Sequence, residues 1–200
     1  IDELVHFEKG DPREFDLVIG ADGLYSNVRR IAFGEDSEFL RKYGIHFCVF
    51  PSNNIFDLDH SEIVYFDRGK FVAAYAADHH SYACLAFRSE MEITSSKNLK
   101  DEFEKQFGDL GWEIPQLISA MKSCDDCYFN SIAQVRMPCW SKGRVALVGD
   151  AAHAASAMGT SLSMVGSYVL AREIEKSDGD YEIAFNKYEQ SIRSFVEDAQ

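Results

Sequence analysis

The stretch DLVIGADGLYSNVRR, residues 16–30, decides the fold of this chain. An apolar run leads into a turn rich in glycine and aspartate, and Ser26 can then cap a short predicted helix that ends at Gly34. The stretch GRVALVGDAAHAASAMGTSLSMVGSYVLARE, residues 143–173, repeats this order of strand, Gly-Asp, small residues and helix. Continuous apolar runs favour strands buried on both faces of a parallel sheet. Because open α/β sheets bind ligands at the carboxyl ends of their strands, the two turns predict one shared binding edge.

The residue types in both turns suit a nucleotide cofactor. Small residues let the backbone approach a bulky group, and the carboxylates of Asp22 and Asp150 can accept hydrogen bonds from ribose hydroxyls. Free N–H groups at the following helix starts attract anionic atoms. Each turn alone is weak evidence, because Asp-Gly turns are common on protein surfaces. Two such turns around an insert of different composition are more specific.

The insert is rich in aromatic and β-branched residues, which favours an antiparallel meander. Its predicted strands are KYGIHFCVF (42–50), EIVYF (62–66), KFVAAYAA (70–77) and HSYACLAFR (80–88), followed by amphipathic helices at 97–107 and 113–123 and a strand at 127–135. A strand at 1–7 precedes the first turn. A helix over 160–176 has apolar residues most of the way round, which predicts burial on several sides, and an amphipathic helix follows at 180–198.

The amino-acid composition indicates which kinds of binding partner the chain disfavours. Its 200 residues include 33 acidic and 20 basic side chains, a net charge of −13, which disfavours nucleic acid and anionic lipid. The longest apolar stretch, residues 71–77, is too short to span a membrane, and the start shows no signal peptide. The five cysteines cannot all pair internally, and the three outside the C-x-x-C (Cys48, Cys84 and Cys139) are expected to be reduced, buried thiols in a cytoplasmic protein. The C-x-x-C of Cys124 and Cys127 is interpreted as incidental, its thiolates disfavoured by Asp125 and Asp126.

The two motifs resemble those of the FAD-dependent aromatic-ring monooxygenases of the p-hydroxybenzoate hydroxylase type. The resemblance implies a mixed α+β and α/β fold. A partial, discontinuous, Rossmann-like FAD-binding domain (1–35 and 137–200) would carry an inserted, mainly antiparallel substrate-binding sheet domain (36–136). It also implies that NAD(P)H reduces FAD, and that O2 forms a flavin hydroperoxide that hydroxylates an aromatic or polycyclic small molecule. The reactive oxygen then belongs to the cofactor, which explains why the sequence shows no catalytic triad or acid/base pair.

The resemblance also assigns the cofactor residues. Asp22 and Gly23 match a pair near the FAD pyrophosphate that is linked to NAD(P)H use, and Arg29 matches the family's arginine. Gly149, Asp150 and Ala151 match the pair that binds the ribitol–ribose region. The backbone of Gly159, Thr160 and Ser161 matches the helix start that faces the pyrimidine edge of the flavin ring, where the helix dipole favours the negative charge of reduced flavin.

Several alternatives stay open at this level. Arg29 and Arg30 could be ordinary surface charges, and His153 could be a general base, although packing beside the flavin is the preferred interpretation. A metal role for His79 and His80 is improbable because no third ligand is in view. Most aromatics of the insert should be core, while alternate ones line a substrate pocket: Phe47, Tyr65, Phe71, Tyr75, Tyr82 and Phe87. Another flavin oxidoreductase, such as a halogenase or dehydrogenase, and a non-catalytic binding domain remain alternative functions. Substrate identity and oligomeric state are not predicted.

Two departures from the family pattern carry expectations. The chain has no G-x-G-x-x-G segment, so we expect it to be a piece of a longer protein that alone is inactive and binds FAD weakly or not at all. The segment AASAMG, residues 154–159, lacks the family's proline and is about three residues shorter than the family pattern, so we expect an altered contact with the flavin ring.

Overall fold

The computed structural model describes residues 4–90, 99–155 and 158–200. The chain divides into two compact units, Ile1–Arg41 with Ala133–Gln200 (unit 1) and Lys42–Ile132 (unit 2). The sequence places these boundaries at 35/36 and 136/137 instead. The difference arises because continuous strands, rather than loops of distinct composition, carry the chain through both boundaries.

Most of the predicted elements are present, with additional short strands and turns of helix. In chain order they are β1 (Leu4–Val5), β2 (Arg13–Glu14), β3 (Val18–Gly20), α1 (Asn27–Ala32), α2 (Asp36–Phe39), β4 (Leu40–Pro51), β5 (Ser61–Asp67), β6 (Lys70–Ala77), β7 (His80–Arg88), α3 (Leu99–Phe107), α4 (Ile114–Ser123), β8 (Tyr128–Val135), β9 (Ser141–Lys142), β10 (Val145–Leu147), α5 (Asp150–His153), α6 (Gly159–Lys176) and α7 (Tyr181–Ala199). The predicted start of the first strand (1–3) and of the first insert helix (97–98) lies outside the described residues.

Unit 1 is built on a three-stranded sheet in the order β3-β10-β9. β3 and β10 are parallel, as predicted, with Val18 opposite Val145 and Gly20 opposite Leu147. The expected burial on both faces holds for β10, whose residues are all buried, but is wrong for β3. Ile19 is 41% exposed. Among the described residues, β10 has a neighbouring strand on each side, whereas β3 pairs with β10 alone, so the side chains of β3 are less buried.

The helices of unit 1 build its core. α6 packs against α7, and the core includes Leu162, Leu170, Trp140 and Tyr188. The prediction that α6 is buried on several sides is wrong for the described unit: Met164 and Tyr168 are 70% and 66% exposed. One face of α6 meets α7, and among the described residues no segment covers Met164 and Tyr168 on the opposite face.

Unit 2 is a five-stranded sheet in the order β5-β6-β7-β4-β8, with α3 and α4 packed on one face. The predicted meander is correct for β5, β6 and β7. It is wrong for β4, which pairs antiparallel with β7 and not with β5. The connection over residues 52–60 is longer than a hairpin turn, so it permits β4 and β5 to lie on opposite sides of the β6–β7 pair.

The two faces of this sheet differ because side chains alternate along each strand. Phe50, Leu85 and Phe87 pack against α3 and α4 in the core, together with partly buried Tyr65. The opposite face, here called the aromatic face, carries ring pairs whose centroids lie 5.1–5.9 Å apart: Phe66 with Phe71, Tyr75 with Tyr82, and Phe47 with Tyr128. Of the six predicted aromatics, Tyr65 and Phe87 are therefore on the helix side and the other four are on the aromatic face.

Candidate cofactor site

The two predicted turns lie side by side at one edge of the unit 1 sheet. The Val148 N–H donates to the Gly20 carbonyl at 2.9 Å, which extends the parallel pairing of β3 and β10 to the start of both turns. Asp22 and Asp150 follow these strand ends directly. The guanidinium of Arg29, in α1, donates to the Ala151 carbonyl in α5 at 3.0 Å. The structure thus brings together residues that are far apart in the sequence.

Asp22 holds the start of α1. Its carboxylate accepts hydrogen bonds from the Ser26 hydroxyl and from the Val28 N–H, the latter at 3.1 Å, while the Ser26 oxygen accepts from the Arg29 N–H at 2.9 Å. Partial burial alone would raise the pKa of Asp22, but these hydrogen bonds outweigh it and the pKa is lowered. Gly23 has a φ of 80° and open space where a side chain would be, so a ligand can approach its backbone.

Arg29 is not a surface charge, which corrects one of the alternatives. Its side chain is fully buried and donates to the Leu24 carbonyl at 2.7 Å and to Asp36 Oδ1 at 2.5 Å, besides the Ala151 carbonyl. Its Nε atom is buried without a partner among the described residues. Arg30 meets the other oxygen of Asp36 at 3.0 Å and is 37% exposed. From its buried position, Arg29 therefore links the turn after β3 to the turn after β10.

The sequence does not predict Asp36 as the partner of Arg29. Burial alone would raise the pKa of Asp36, but the hydrogen bonds and positive charges of Arg29 and Arg30 lower it. Asp36 lies in the first turn of α2, a helix of four residues that has no apolar periodicity. The one available signal is the acidic pair of Glu35 and Asp36 directly after the Gly34 stop of α1.

Gly149 is required at its position for two reasons. Its φ of 60° and ψ of −143° lie in a region that only glycine enters readily, and an added Cβ would lie 2.8 Å from the Ser163 hydroxyl oxygen. This close approach places the start of α5 against α6. Ser163 is a further site residue that the sequence does not single out.

Asp150 presents an open acceptor. Burial raises its pKa, and among the described residues no donor reaches its carboxylate. A Cβ added to Gly159, the first residue of α6, would lie 3.4 Å from Asp150 Oδ1. A partly buried carboxylate without a donor is unfavourable, and hydroxyl groups of a bound ligand would relieve this cost. Asp150 thus fits the ribitol or ribose of a nucleotide cofactor.

The start of α6 provides the complementary donors. Gly159, Thr160 and Ser161 form its first turn, where backbone N–H groups have no partner within the helix. The Leu162 N–H donates to the Met158 carbonyl at 2.9 Å and is the first to be satisfied. Thr160 and Ser161 are exposed, so these N–H groups can meet an electron-rich group. Part of the preceding loop, residues 156–157, lies outside the described residues.

His153 is a core residue of unit 1. It is 1% exposed, and its ring lies 4.7 Å from that of Trp140. Tyr188 donates its hydroxyl to the Leu147 carbonyl at 3.1 Å, so Nε2 of His153, 3.3 Å away, is the donor in their hydrogen bond. Burial lowers the pKa of His153 to about 4, so the ring is neutral. Packing is therefore favoured over the general-base alternative.

Cys139 lies in unit 1 and is exposed, which corrects the expected burial of this thiol, whereas the other four cysteines lie in unit 2. Burial raises the pKa values of Cys84 and Cys127 to about 11, so burial, rather than the nearby aspartates, keeps Cys127 protonated. Within the described ranges, no group of three or more His, Cys, Asp or Glu is placed to hold a metal ion, and His79 and His80 join none. Throughout these ranges, no helix combines the length and apolar character that crossing a bilayer needs.

Parallel strand ends, an open carboxylate and a helix start beside it are typical of α/β proteins that bind a nucleotide cofactor. Comparison with known families identifies which one. The chain belongs to the family described as FAD binding domain, whose model matches residues 9–176. The predicted resemblance and the mixed α/β fold are confirmed, and FAD is the cofactor of this family.

Similar proteins include one without a described activity and two named by function. The uncharacterized protein Rv1260 of Mycobacterium tuberculosis (strain ATCC 25618 / H37Rv) is 37% identical over 96% of this chain and 54% of its own length. A flavin-dependent monooxygenase from an unknown prokaryotic organism is 39% identical over 96% of this chain and 52% of its own. The crystal structure of tetracycline destructase Tet(55) is 38% identical with a TM-score of 0.88, over 98% of this chain and 54% of that one. The chain thus spans about half the length of these proteins.

Proposed function

We propose that this chain is part of an FAD-dependent monooxygenase that oxidises an aromatic small molecule. The observation that carries the proposal is the open carboxylate of Asp150 beside the first turn of α6. Similarity to proteins named flavin-dependent monooxygenases supports the reaction class. When bound, FAD would supply the redox and oxygen chemistry, with NAD(P)H as the reductant and O2 as the oxidant.

The residues of unit 1 would hold and orient FAD. Asp150 would accept hydrogen bonds from ribitol or ribose hydroxyls, and Gly149 would keep the backbone free of a side chain there. The N–H groups of Gly159, Thr160 and Ser161 would favour negative charge on the flavin ring. Asp22 and Gly23 would present their backbone to the pyrophosphate, and Arg29 would position both turns without touching the cofactor.

The aromatic face of unit 2 would hold the substrate. Tyr75 and Tyr82 stack with their ring centroids 5.5 Å apart, and Tyr75 is 39% exposed. Burial, with contributions from Tyr82 and Cys84, raises the pKa of Tyr75, so its hydroxyl stays neutral. Flat, partly exposed rings favour an aromatic ligand that stacks on them.

The proposal is tested by flavin binding to the intact protein with the substitution Asp150→Asn. Loss of hydrogen bonds to a charged acceptor should weaken FAD binding by about 1.5–3 kcal/mol, or roughly 10- to 150-fold. The free energy of unfolding of the flavin-free protein should not fall, because Asn removes a charge that has no donor. Asp198→Asn, at an exposed position of α7, is the matched control and should leave FAD binding unchanged.

Three outcomes separate the proposal from its alternatives. Intact protein that stays colourless when FAD is supplied would favour a non-catalytic binding domain. Flavin-bound protein that consumes NAD(P)H and O2 and incorporates one oxygen atom into an aromatic product would support the monooxygenase. Halogenated or dehydrogenated products without oxygen incorporation would indicate another flavin oxidoreductase.

A further inference from the structure

The buried hydroxyl of Tyr188, in α7, bonds to both ends of the segment that carries Asp150. This hydroxyl donates to the carbonyl of Leu147, the last residue of β10, at 3.1 Å. It accepts a hydrogen bond from Nε2 of His153, the last residue of α5, at 3.3 Å. Leu147 precedes the Gly149–Asp150 turn and His153 follows it, so a single side chain of α7 fixes where this turn begins and where it ends.

Both hydrogen bonds lie in the core of unit 1. Tyr188 is 0% exposed, and burial raises the pKa of its hydroxyl, which therefore stays protonated and able to donate. Nδ1 of His153 is buried without a partner among the described residues, so the bond to Tyr188 is what orients the imidazole ring. A buried polar atom that loses its partner cannot turn to water instead. The orientation of His153 therefore depends on the Tyr188 hydroxyl.

The surroundings of His153 connect its position to that of Asp150. A Cβ added to Gly166 of α6 would lie 3.4 Å from Nε2 of His153, so α6 packs closely against the ring. Within the segment, the N–H groups of Ala152 and His153 both donate to the Gly149 carbonyl, at 3.0 Å and 2.9 Å. The segment is thus short and internally bonded, and a shift of its His153 end moves Asp150 as well.

We propose that Tyr188 is a positioning residue for the cofactor, which holds the Asp150 carboxylate, through Leu147 and His153, where the hydroxyl groups of FAD would meet it. Hydrogen bonds weaken steeply when their distance and angle change, so a displaced carboxylate would bind those hydroxyl groups less well. Tyr188 would act without touching FAD, because its side chain is fully buried. The inference rests on the proposed function, since that function makes Asp150 the acceptor for FAD.

The experiment is a double-mutant cycle of Tyr188→Phe and Asp150→Ala in the intact protein, with FAD binding measured by calorimetry. Tyr188→Phe removes only the hydroxyl and should weaken FAD binding roughly three- to tenfold. In the Asp150→Ala protein the same change should alter FAD binding less than about twofold, because the carboxylate that Tyr188 positions is then absent. The midpoint of thermal unfolding without FAD should fall equally in both backgrounds, since the bonds of Tyr188 do not include Asp150.

Two further variants test the path through His153. His153→Leu removes the donor and should weaken FAD binding as Tyr188→Phe does. The side-chain amide of Gln keeps an N–H donor, so His153→Gln should retain the wild-type affinity for FAD to within about twofold. Tyr181→Phe, which removes a hydroxyl from the first residue of the same helix, is the matched control and should leave FAD binding unchanged.

Each result decides one question. An equal loss of FAD affinity from Tyr188→Phe with and without the Asp150 carboxylate would overturn the inference and indicate a merely structural role. If the Tyr188→Phe protein does not fold, the two His153 variants decide: equal affinities for FAD would overturn the inference, and weaker binding by His153→Leu alone would support it. Wild-type protein that takes up no FAD would refute the proposed function and this inference together. Wild-type and Tyr188→Phe proteins that bind FAD equally well would contradict this inference alone.

Discussion

Replacement of Arg29 by methionine should be among the most damaging single changes in unit 1. The substitution keeps a long side chain but removes the guanidinium that Leu24, Asp36 and Ala151 share. Two carbonyl groups then lose their donor, and the Asp36 carboxylate loses its buried partner. Breaking a buried ion pair by removing one member typically costs about 3–5 kcal/mol. That is a large fraction of the roughly 5–15 kcal/mol by which domains are stable.

Urea denaturation of the intact protein measures this loss, and Arg30 supplies the matched control. Arg30 binds the same Asp36 carboxylate at 3.0 Å but is 37% exposed, whereas the side chain of Arg29 is 0% exposed. Solvent screens the exposed pair, so Arg30→Met should cost less than about 1 kcal/mol. The loss of stability in the Arg29→Lys protein should lie between those of Arg29→Met and Arg30→Met. An ammonium group keeps the charge but lacks the planar guanidinium that reaches all three acceptors.

FAD affinity is the second measurement for this prediction. If Arg29 positions the two turns, its replacement by methionine should weaken FAD binding even under conditions where the protein remains folded. Equal losses of stability in the Arg29→Met and Arg30→Met proteins, both below about 1 kcal/mol, would refute the inference that Arg29 stabilises unit 1 by linking the two turns. A stability loss with unchanged FAD affinity would refute its link to the cofactor.

Two further predictions concern the same edge. Gly149→Ala should cost about 1–3 kcal/mol of stability through backbone strain, which is more than Gly179→Ala should cost. Both glycines have positive φ, but of the two only Gly149 has a close neighbour, Ser163. Equal losses of stability by urea denaturation would show that this close approach is unimportant. Acid should also weaken unit 1. The folded-state pKa values of Asp22 and Asp36 are lowered, so their contribution is present above the unfolded value of about 3.9 and is lost as the pH falls through the folded values. In the Asp36→Asn protein, the free energy of unfolding should fall less steeply as the pH is lowered. An unchanged pH dependence would contradict the role of Asp36 in acid sensitivity.

Local patterns in the sequence predict the elements of unit 2 well. The bounds of β6 and β7 agree with the prediction, because aromatic and β-branched runs end at turns whose residues are distinctive. The order of strands in the sheet does not follow from such patterns. β4 pairs with β7 because of packing between distant segments, and a nine-residue stretch of apolar and aromatic residues looks the same in either position.

The candidate site divides in the same way. Gly149 and Asp150 could be found from the sequence because a strand, a Gly-Asp turn and a helix start follow one another directly. The burial of Arg29 could not be predicted from the sequence. Two of its partners, Asp36 and Ala151, lie on α2 and α5, and no short-range pattern links them to Arg29. The exposure of one face of α6 was missed because apolar periodicity counts the apolar residues of a helix and does not reveal which of them have a neighbour.

The pairing of Val18 with Val145 has a consequence for how the protein folds. On the ribosome, β3 emerges long before β10, so this edge cannot form until almost the whole intervening chain has been synthesised. Contacts between residues so far apart in the sequence slow folding. The entropy of closing a long loop is lost before the contact contributes any stabilisation. We therefore expect unit 2 to collapse first, and assembly of the edge that carries Asp22 and Asp150 to be a late step of maturation.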